Sequence, residues 1–222
     1  MTSEVVTVGP RDSLQFCMQL MTDRHLRHLP VVAEGELIGL LSIGDLVKEA
    51  IADQGRIDLM VANAGYGNFS SVEETTPEEV RRIFEVNVFG VENSIRAVLP
   101  QMRKQRSGRI IMTTSVVGHV SLVGLGWYAA TKHAVKAVAN ALRQETRWLG
   151  IRVSTVEPGT SKTGFGAVAF GLLESGRAVG DYDKVMAGLN KWLGGLYRIS
   201  PGPEKTIKKM VKAATARRPR AH

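Results

Sequence analysis

Short apolar runs alternating with long helical stretches constrain what this chain can fold into. Leu59-Met60-Val61-Ala62 is apolar throughout, Arg109 to Ser115 carries Ile110-Ile111-Met112, and Ile151 to Val156 supplies a third run. Continuous apolar runs of this length mark strands buried on both faces, as in parallel sheets covered by helices. The segments between them supply the helices. Thr76 offers a cap, Pro77 suits the first helical position and Glu79 completes a capping box, after which Val80, Ile83 and Phe84 form an apolar stripe. This helix is predicted to run toward Met102, and another from about Trp127 to Leu149 stops at Gly150. Strands alternating with long helices imply a parallel α/β sheet.

The first 54 residues are composed differently. They hold four Lys/Arg against eight Asp/Glu while the rest holds 25 against 13, so the net charge of +8 hides two pieces of opposite sign. Val5-Val6-Thr7-Val8 reads as a strand closed by Gly9-Pro10. Leu14, Cys17, Met18 and Met21 recur at helical spacing. His28 to Val32 and Leu37 to Leu41 flank Glu34-Gly35-Glu36 as a hairpin, and Gly44-Asp45 opens a helix to about Gln54. The unit is β-α-β-β-α. The expected boundaries are residues 1–53 and 54–222.

Composition narrows the function classes. With 44% hydrophobic and 23% charged residues, the chain describes an ordinary globular protein. Its one cysteine, Cys17, excludes an intrachain disulfide, and no cysteine cluster offers a metal site, which points to a reducing, cytoplasmic setting. The N-terminus has no basic stretch leading into an apolar run, and no segment has the ~18 apolar residues of a membrane span. Glu204 to His222 contains seven Lys/Arg and one acid. Lys205, Lys208, Lys209 and Lys212 interleave there with Ile207, Met210 and Val211 and with no aromatics, which favours the solvated face of an amphipathic helix over a nucleic-acid surface.

The chemistry concentrates around Tyr128-Ala-Ala-Thr-Lys132, downstream of Ser115. A phenol titrates near ~10, so acid/base work at neutral pH calls for a neighbouring cation that lowers this value. Lys132 lies one helical turn on and faces the same way.

From about Gln54 onward the chain resembles a short-chain dehydrogenase/reductase. The resemblance rests on Asn63-Ala64-Gly65, Asn87-Val88-Phe89-Gly90, Ser115, Tyr128-x-x-x-Lys132 and Pro158-Gly159-Thr160-Ser161-Lys162-Thr163, in that family's order and spacing. It implies that Ser115 hydrogen-bonds a substrate carbonyl and that Tyr128 is the acid/base. Lys132 would lower the phenol's pKa and grip the nicotinamide ribose, and Asn87 would order a proton-relay water. Asn63, Ala64, Gly65, Pro158, Gly159 and Thr163 would border the cofactor, NAD or NADP, with Thr163 at the nicotinamide amide. A turn for close backbone approach explains Asn63-Ala64-Gly65 equally well. Glu157-Pro158-Gly159 and Asn63 to Gly67 further resemble the branch acting on retinol- and steroid-type substrates, which implies a small hydrophobic alcohol or ketone. Residues 164–203, with Phe165, Phe170, Trp192 and Tyr197, fall at that family's variable substrate lid.

Residues 1–53 resemble a CBS (cystathionine-beta-synthase-type) domain through Arg27-His28-Leu29-Pro30-Val31-Val32, Gly39 and Ser42-Ile43-Gly44-Asp45. That resemblance implies an adenosyl nucleotide, with Ser42 and Asp45 toward its ribose and phosphate, although Asp45 is equally an ordinary helix cap. No Gly-x-x-x-Gly-x-Gly turn precedes Gln54, so this unit stands where the dehydrogenase family carries its pyrophosphate-binding strand and turn. The fold expected is an incomplete Rossmann-like parallel sheet with helices on both faces, preceded by the small CBS-like unit. Its Leu59–Ala62 strand would be left as an apolar edge, which predicts a homo-oligomer. Two functions follow from these resemblances: an NAD(P)-dependent oxidoreductase on an alcohol or ketone, or a non-enzymatic adenosyl-nucleotide-sensing or dimerisation module carrying a relict dehydrogenase half.

Overall fold

A computed structural model describes residues 6–23, 28–171, 180–217, 219 and 221. The N-terminal unit opens with an isolated parallel bridge from Val8 to Val31, so Val6 to Val8 forms no longer strand, and Val5 lies outside the described residues. Helix α1 (Leu14–Asp23) leads to β1 (His28–Ala33) and β2 (Glu36–Ser42), which pair antiparallel with Leu29 opposite Leu41 and Val31 opposite Gly39. Both turn residues have positive φ, 52° at Glu34 and 85° at Gly35, the backbone that matches the strand twist in a two-residue hairpin. Arg27 lies outside the described residues.

Helix α2 (Ile43–Gln54) starts in a capping box between Ser42 and Asp45 and ends at Gly55, in the left-handed region at φ 69°. It is followed by β3 (Leu59–Ala62), α3 (Pro77–Phe84), α4 (Gly90–Gln105), β4 (Gly108–Thr113), α5 (Gly126–Thr146) and β5 (Ile151–Val156). The three strands form one parallel sheet in the order β3-β4-β5, with Met60 opposite Ile110 and Ile110 opposite Val153. Past β5 come α6 (Gly164–Gly171), α7 (Asp183–Ile199) and α8 (Glu204–Thr215), whose lysines are exposed as expected.

The helix expected from Pro77 toward Met102 is not uniform. Glu85 to Phe89 forms a π-helical turn between α3 and α4, and Asn87 sits inside it at 1% exposure. Such wider turns tilt a side chain off the ordinary helical stripe. Gly150 has φ 76°, and a Cβ there would lie 2.1 Å from the Arg106 carbonyl oxygen, so only glycine lets α5 turn back into β5.

Three apolar clusters hold the fold. Met102, Ile110, Met112, Val135, Ala139 and Ile151 fill the space between one sheet face, α4 and α5. Ile83, Tyr128, Ala169 and Leu193 belong to a second cluster that joins α3, α5, α6 and α7. Val8, Cys17, Met21, Leu29 and Leu46 form a third inside the N-terminal unit. Helix α2 serves two of them. Leu46 enters the N-terminal core, while Val47, about 100° further round the helix, packs against the sheet core, and α2 runs along α4. Among the described residues no strand pairs with the outer edge of β3, and Leu59 and Val61 are exposed there. The β1-β2 hairpin forms a sheet of its own and does not cover that edge.

Candidate active site

The carboxyl ends of parallel strands face the loops that follow them, and here those loops bring the expected residues together. Ser115, two residues past the end of β4, caps a single 3-10 turn (Val116–Gly118) and is 9% exposed. Its hydroxyl donates to the Pro158 carbonyl oxygen beyond β5 at 3.3 Å and lies near enough to the Tyr128 phenol to lower its pKa. Tyr128 stands in the first turn of α5 at 8% exposure, with the Phe165 ring tilted against it at 5.6 Å between centroids. Burial raises the phenol above its ordinary value, and the Ser115 hydroxyl only partly offsets this. Lys132 was expected to depress the phenol, but burial outweighs the opposing influence, which comes from Ser115.

Lys132 is itself 4% exposed, and desolvation lowers it to about 8. Its ammonium donates to the Thr113 carbonyl oxygen at 3.1 Å and lies 5.7 Å from the centre of the Tyr128 ring. Asn87 is pinned on three sides. It accepts from the Tyr66 amide at 3.0 Å, donates to the Tyr66 carbonyl at 2.9 Å and donates to the Thr131 hydroxyl at 3.1 Å. Thr131 in turn donates to the Tyr128 carbonyl oxygen at 2.7 Å.

Gly65 lines the floor of this arrangement. A Cβ there would meet Asn87 Oδ1 at 3.0 Å and Lys132 Nζ at 3.2 Å, so close backbone approach is a real requirement at this position. Asn63 accepts from the Thr113 hydroxyl at 2.9 Å, which ties the end of β3 to β4, while Ala64 is exposed. Pro158 contacts Ser115 as described, and Gly159 and Thr163 are exposed, with nothing within 4 Å of where a Cβ on Gly159 would stand. Tyr197 of α7 clasps Thr163, accepting from its amide at 2.8 Å and donating to its carbonyl. Of the other lid residues, Trp192 is 54% exposed, and the Phe170 side chain lies outside what is described.

Ser42 and Asp45 are far more engaged than the sequence required. Asp45 Oδ2 accepts from the Ser42 amide at 3.0 Å and from its hydroxyl at 2.6 Å, Oδ1 pairs with Lys48 at 3.2 Å, and these bonds lower the carboxyl to about 2. Thr131 and Thr113 were missed in the sequence, as was the contact of Tyr197 with Thr163. Thr131, fully buried inside the Tyr-x-x-x-Lys spacing, carried the one usable signal, a polar residue on the buried face of α5.

A nicotinamide dinucleotide fits this site at one end. Lys132, Tyr128, Asn87 and the open backbone at Gly65 form a cradle of donors and acceptors suited to a ribose and its nicotinamide. Toward the pyrophosphate the fit fails. Among the described residues no glycine-rich turn stands beside β3, because Gly35 is spent in the hairpin and Gly44 inside α2.

Residues 32–170 match the short-chain dehydrogenase family, and residues 1–52 match the CBS domain. An uncharacterized oxidoreductase of Schizosaccharomyces pombe is 33% identical over 83% of this chain and 77% of its own length. A 3-ketodihydrosphingosine reductase of Bacteroides thetaiotaomicron is 41% identical over 56% of this chain and 46% of its own. The crystal structure of 3-ketoacyl-(acyl-carrier-protein) reductase from Brucella melitensis, complexed with NADH, superposes with a TM-score of 0.53 at 31% identity over 55% of this chain. The chain spans about half of these last two proteins, 46% and 52%. The two matched regions overlap at residues 32–52, β2 and most of α2, which agrees with a helix that serves two cores. The chain belongs to the short-chain dehydrogenase family, a family of NAD(P)-using oxidoreductases, and carries a CBS domain at its N-terminal side.

Proposed function

We propose that this chain is a reductase of small hydrophobic ketones, with Tyr128 as the proton donor. One observation carries the reading: the Ser115 hydroxyl acts on the Tyr128 phenol at the carboxyl edge of the sheet, with the Lys132 ammonium 5.7 Å from the centre of the ring. A substrate carbonyl oxygen placed between the two hydroxyls receives a hydrogen bond from each. As negative charge develops on that oxygen, both bonds strengthen, which lowers the barrier. Tyr128 then gives up its proton to the oxygen, and the partly ionised Lys132 stabilises the phenolate left behind.

Donation to a ketone oxygen needs the phenol in its protonated form, the form that burial favours at Tyr128. When bound, a nicotinamide supplies the hydride. Lys132, Asn87 and the Gly65 backbone would hold its ribose, with Asn63, Ala64, Pro158, Gly159 and Thr163 along the border. Phe165 over Tyr128 and against Gly67 gives the substrate side an apolar wall, in keeping with a hydrophobic ketone. The unpaired edge of β3, with exposed Leu59 and Val61, supports a homo-oligomer.

The test is direct. NADH or NADPH fluorescence should change on titration with the protein, and Tyr128→Phe should abolish ketone oxidation of NAD(P)H without abolishing that change. A folded sample that alters the fluorescence of neither nucleotide overturns the reading.

A further inference from the structure

We propose that Glu157, His119 and Lys136 form a clamp that positions Ser115 for catalysis, an inference that rests on the reductase reading above. Glu157 Oε2 lies 2.8 Å from His119 Nε2, and Lys136 Nζ lies 2.6 Å from His119 Nδ1, 2.7 Å from His119 Nε2 and 4.0 Å from Glu157 Oε1. The three residues come from three separate segments. Each of those segments also carries part of the site.

His119 follows Ser115 by four residues on the loop beyond β4, immediately after the turn that Ser115 caps. Lys136 follows Lys132 by one helical turn on α5. Glu157 directly precedes Pro158, whose carbonyl oxygen accepts from the Val116 amide at 3.1 Å and lies 3.3 Å from Ser115 Oγ. The segments after β4 and β5 therefore meet near Ser115, through Thr114, Ser115 and Val116, and again further out at His119 with Glu157, where Lys136 fastens both to α5. The outer contact extends the seam beyond the turn that carries Ser115. Without the outer contact, the backbone bonds of Thr114 and Val116 still join the two segments, while the Ser115 hydroxyl itself keeps two long hydrogen bonds, to the Pro158 carbonyl at 3.3 Å and from the Val117 amide at 3.4 Å.

The chemistry of the clamp is balanced. The Glu157 carboxylate lies at His119 Nε2, and the Lys136 ammonium lies against the ring between its two nitrogens, so ring and ammonium both face one carboxylate. Glu157 is also held from its own strand, since the Thr155 hydroxyl donates to Oε1 at 3.3 Å. Its side chain is 18% exposed and that of Lys136 19%, which shields the pair from the screening that weakens surface ion pairs. Although burial pushes the Glu157 carboxyl up, His119, Lys136 and Thr155 together hold it below its ordinary value. None of the three clamp residues reaches the position of a carbonyl between Ser115 and Tyr128, so their role is positioning.

The experiment compares the whole wild-type chain with Glu157→Gln, His119→Leu and His119→Gln. It reads kcat and KM for a ketone with NADH or NADPH, and amide hydrogen exchange at Val116 and at Ile110 inside β4. With the clamp broken in Glu157→Gln or His119→Leu, kcat falls on the order of tenfold at nearly constant KM, because misplacement of Ser115 is felt in the transition state. Val116 exchange quickens on the order of tenfold while Ile110 is unchanged. His119→Gln, which keeps one donor and one acceptor, restores both. His119 is half exposed, so the His119 variants fold even where Glu157→Gln does not. Unaltered Val116 exchange, an equal change at Ile110, or an unaltered kcat in a folded clamp variant overturns the clamp. A wild-type chain without turnover counts against the reductase reading, and Val116 exchange then decides the clamp by itself.

Discussion

The Lys132 ammonium donates to the carbonyl oxygen of Thr113 at 3.1 Å, joining α5 to the last residue of the central strand. Burial lowers Lys132 to about 8 from an ordinary 10.5, so between these values the unfolded chain holds a proton that the folded one has released. Folding stability must then rise with pH across that window. Thermal melts of the wild type from pH 7.5 to 10 should show this rise, and Lys132→Met should remove it. Turnover should be lost in the same variant. A Tm that climbs equally in both proteins would place the titration elsewhere.

Tyr128→Phe removes the phenol proposed as proton donor and keeps the ring against Phe165. Ketone reduction should fall by about 10² to 10⁴, the range for loss of a positioned acid. The melting temperature should move little, because the phenol's partner Ser115 retains its own contact with Pro158. Steady-state kinetics and a melt on one preparation check both statements.

Asn87→Ala deletes three hydrogen bonds of a side chain that is 1% exposed. The Tyr66 amide and carbonyl and the Thr131 hydroxyl lose partners in a buried setting, which should cost about 3 kcal/mol. Urea denaturation measures it. A loss below about 1 kcal/mol would show that water replaces the amide there.

Gly150→Ala places a methyl group 2.1 Å from the Arg106 carbonyl oxygen in a backbone with positive φ. The α5 to β5 turn must shift, and the expected cost is about 2 kcal/mol or more, far from any site residue. Loss of stability with kcat retained in the folded fraction is the expected pattern.

The strands of the parallel sheet were legible because their apolar runs are uninterrupted, and the capping box at Thr76 because its chemistry is local, whereas the strand expected at Val5 to Val8 leaves only an isolated bridge at Val8. The π-helical turn at Glu85 to Phe89 was not legible, since one extra residue per turn leaves the apolar pattern through Phe84 and Val88 almost unbroken. The partners of the site residues were hidden for a different reason. Thr113, Thr131 and Tyr197 act through backbone and hydroxyl groups that every sequence contains, and only the fold shows which of them meet. The lowered phenol failed as an expectation because a spacing of four residues fixes which side chains are neighbours and says nothing of how dry their surroundings are.

Leu46 and Val47 have a thermodynamic corollary. Neighbouring side chains on one helix are committed to different cores, so neither core can melt without stripping α2 of half its support. The region matched by the CBS domain and the region matched by the dehydrogenase family should therefore come apart in a single calorimetric peak. Trimming Val47 to alanine should split that peak in two, because the hairpin and the catalytic sheet would then lose their heat independently.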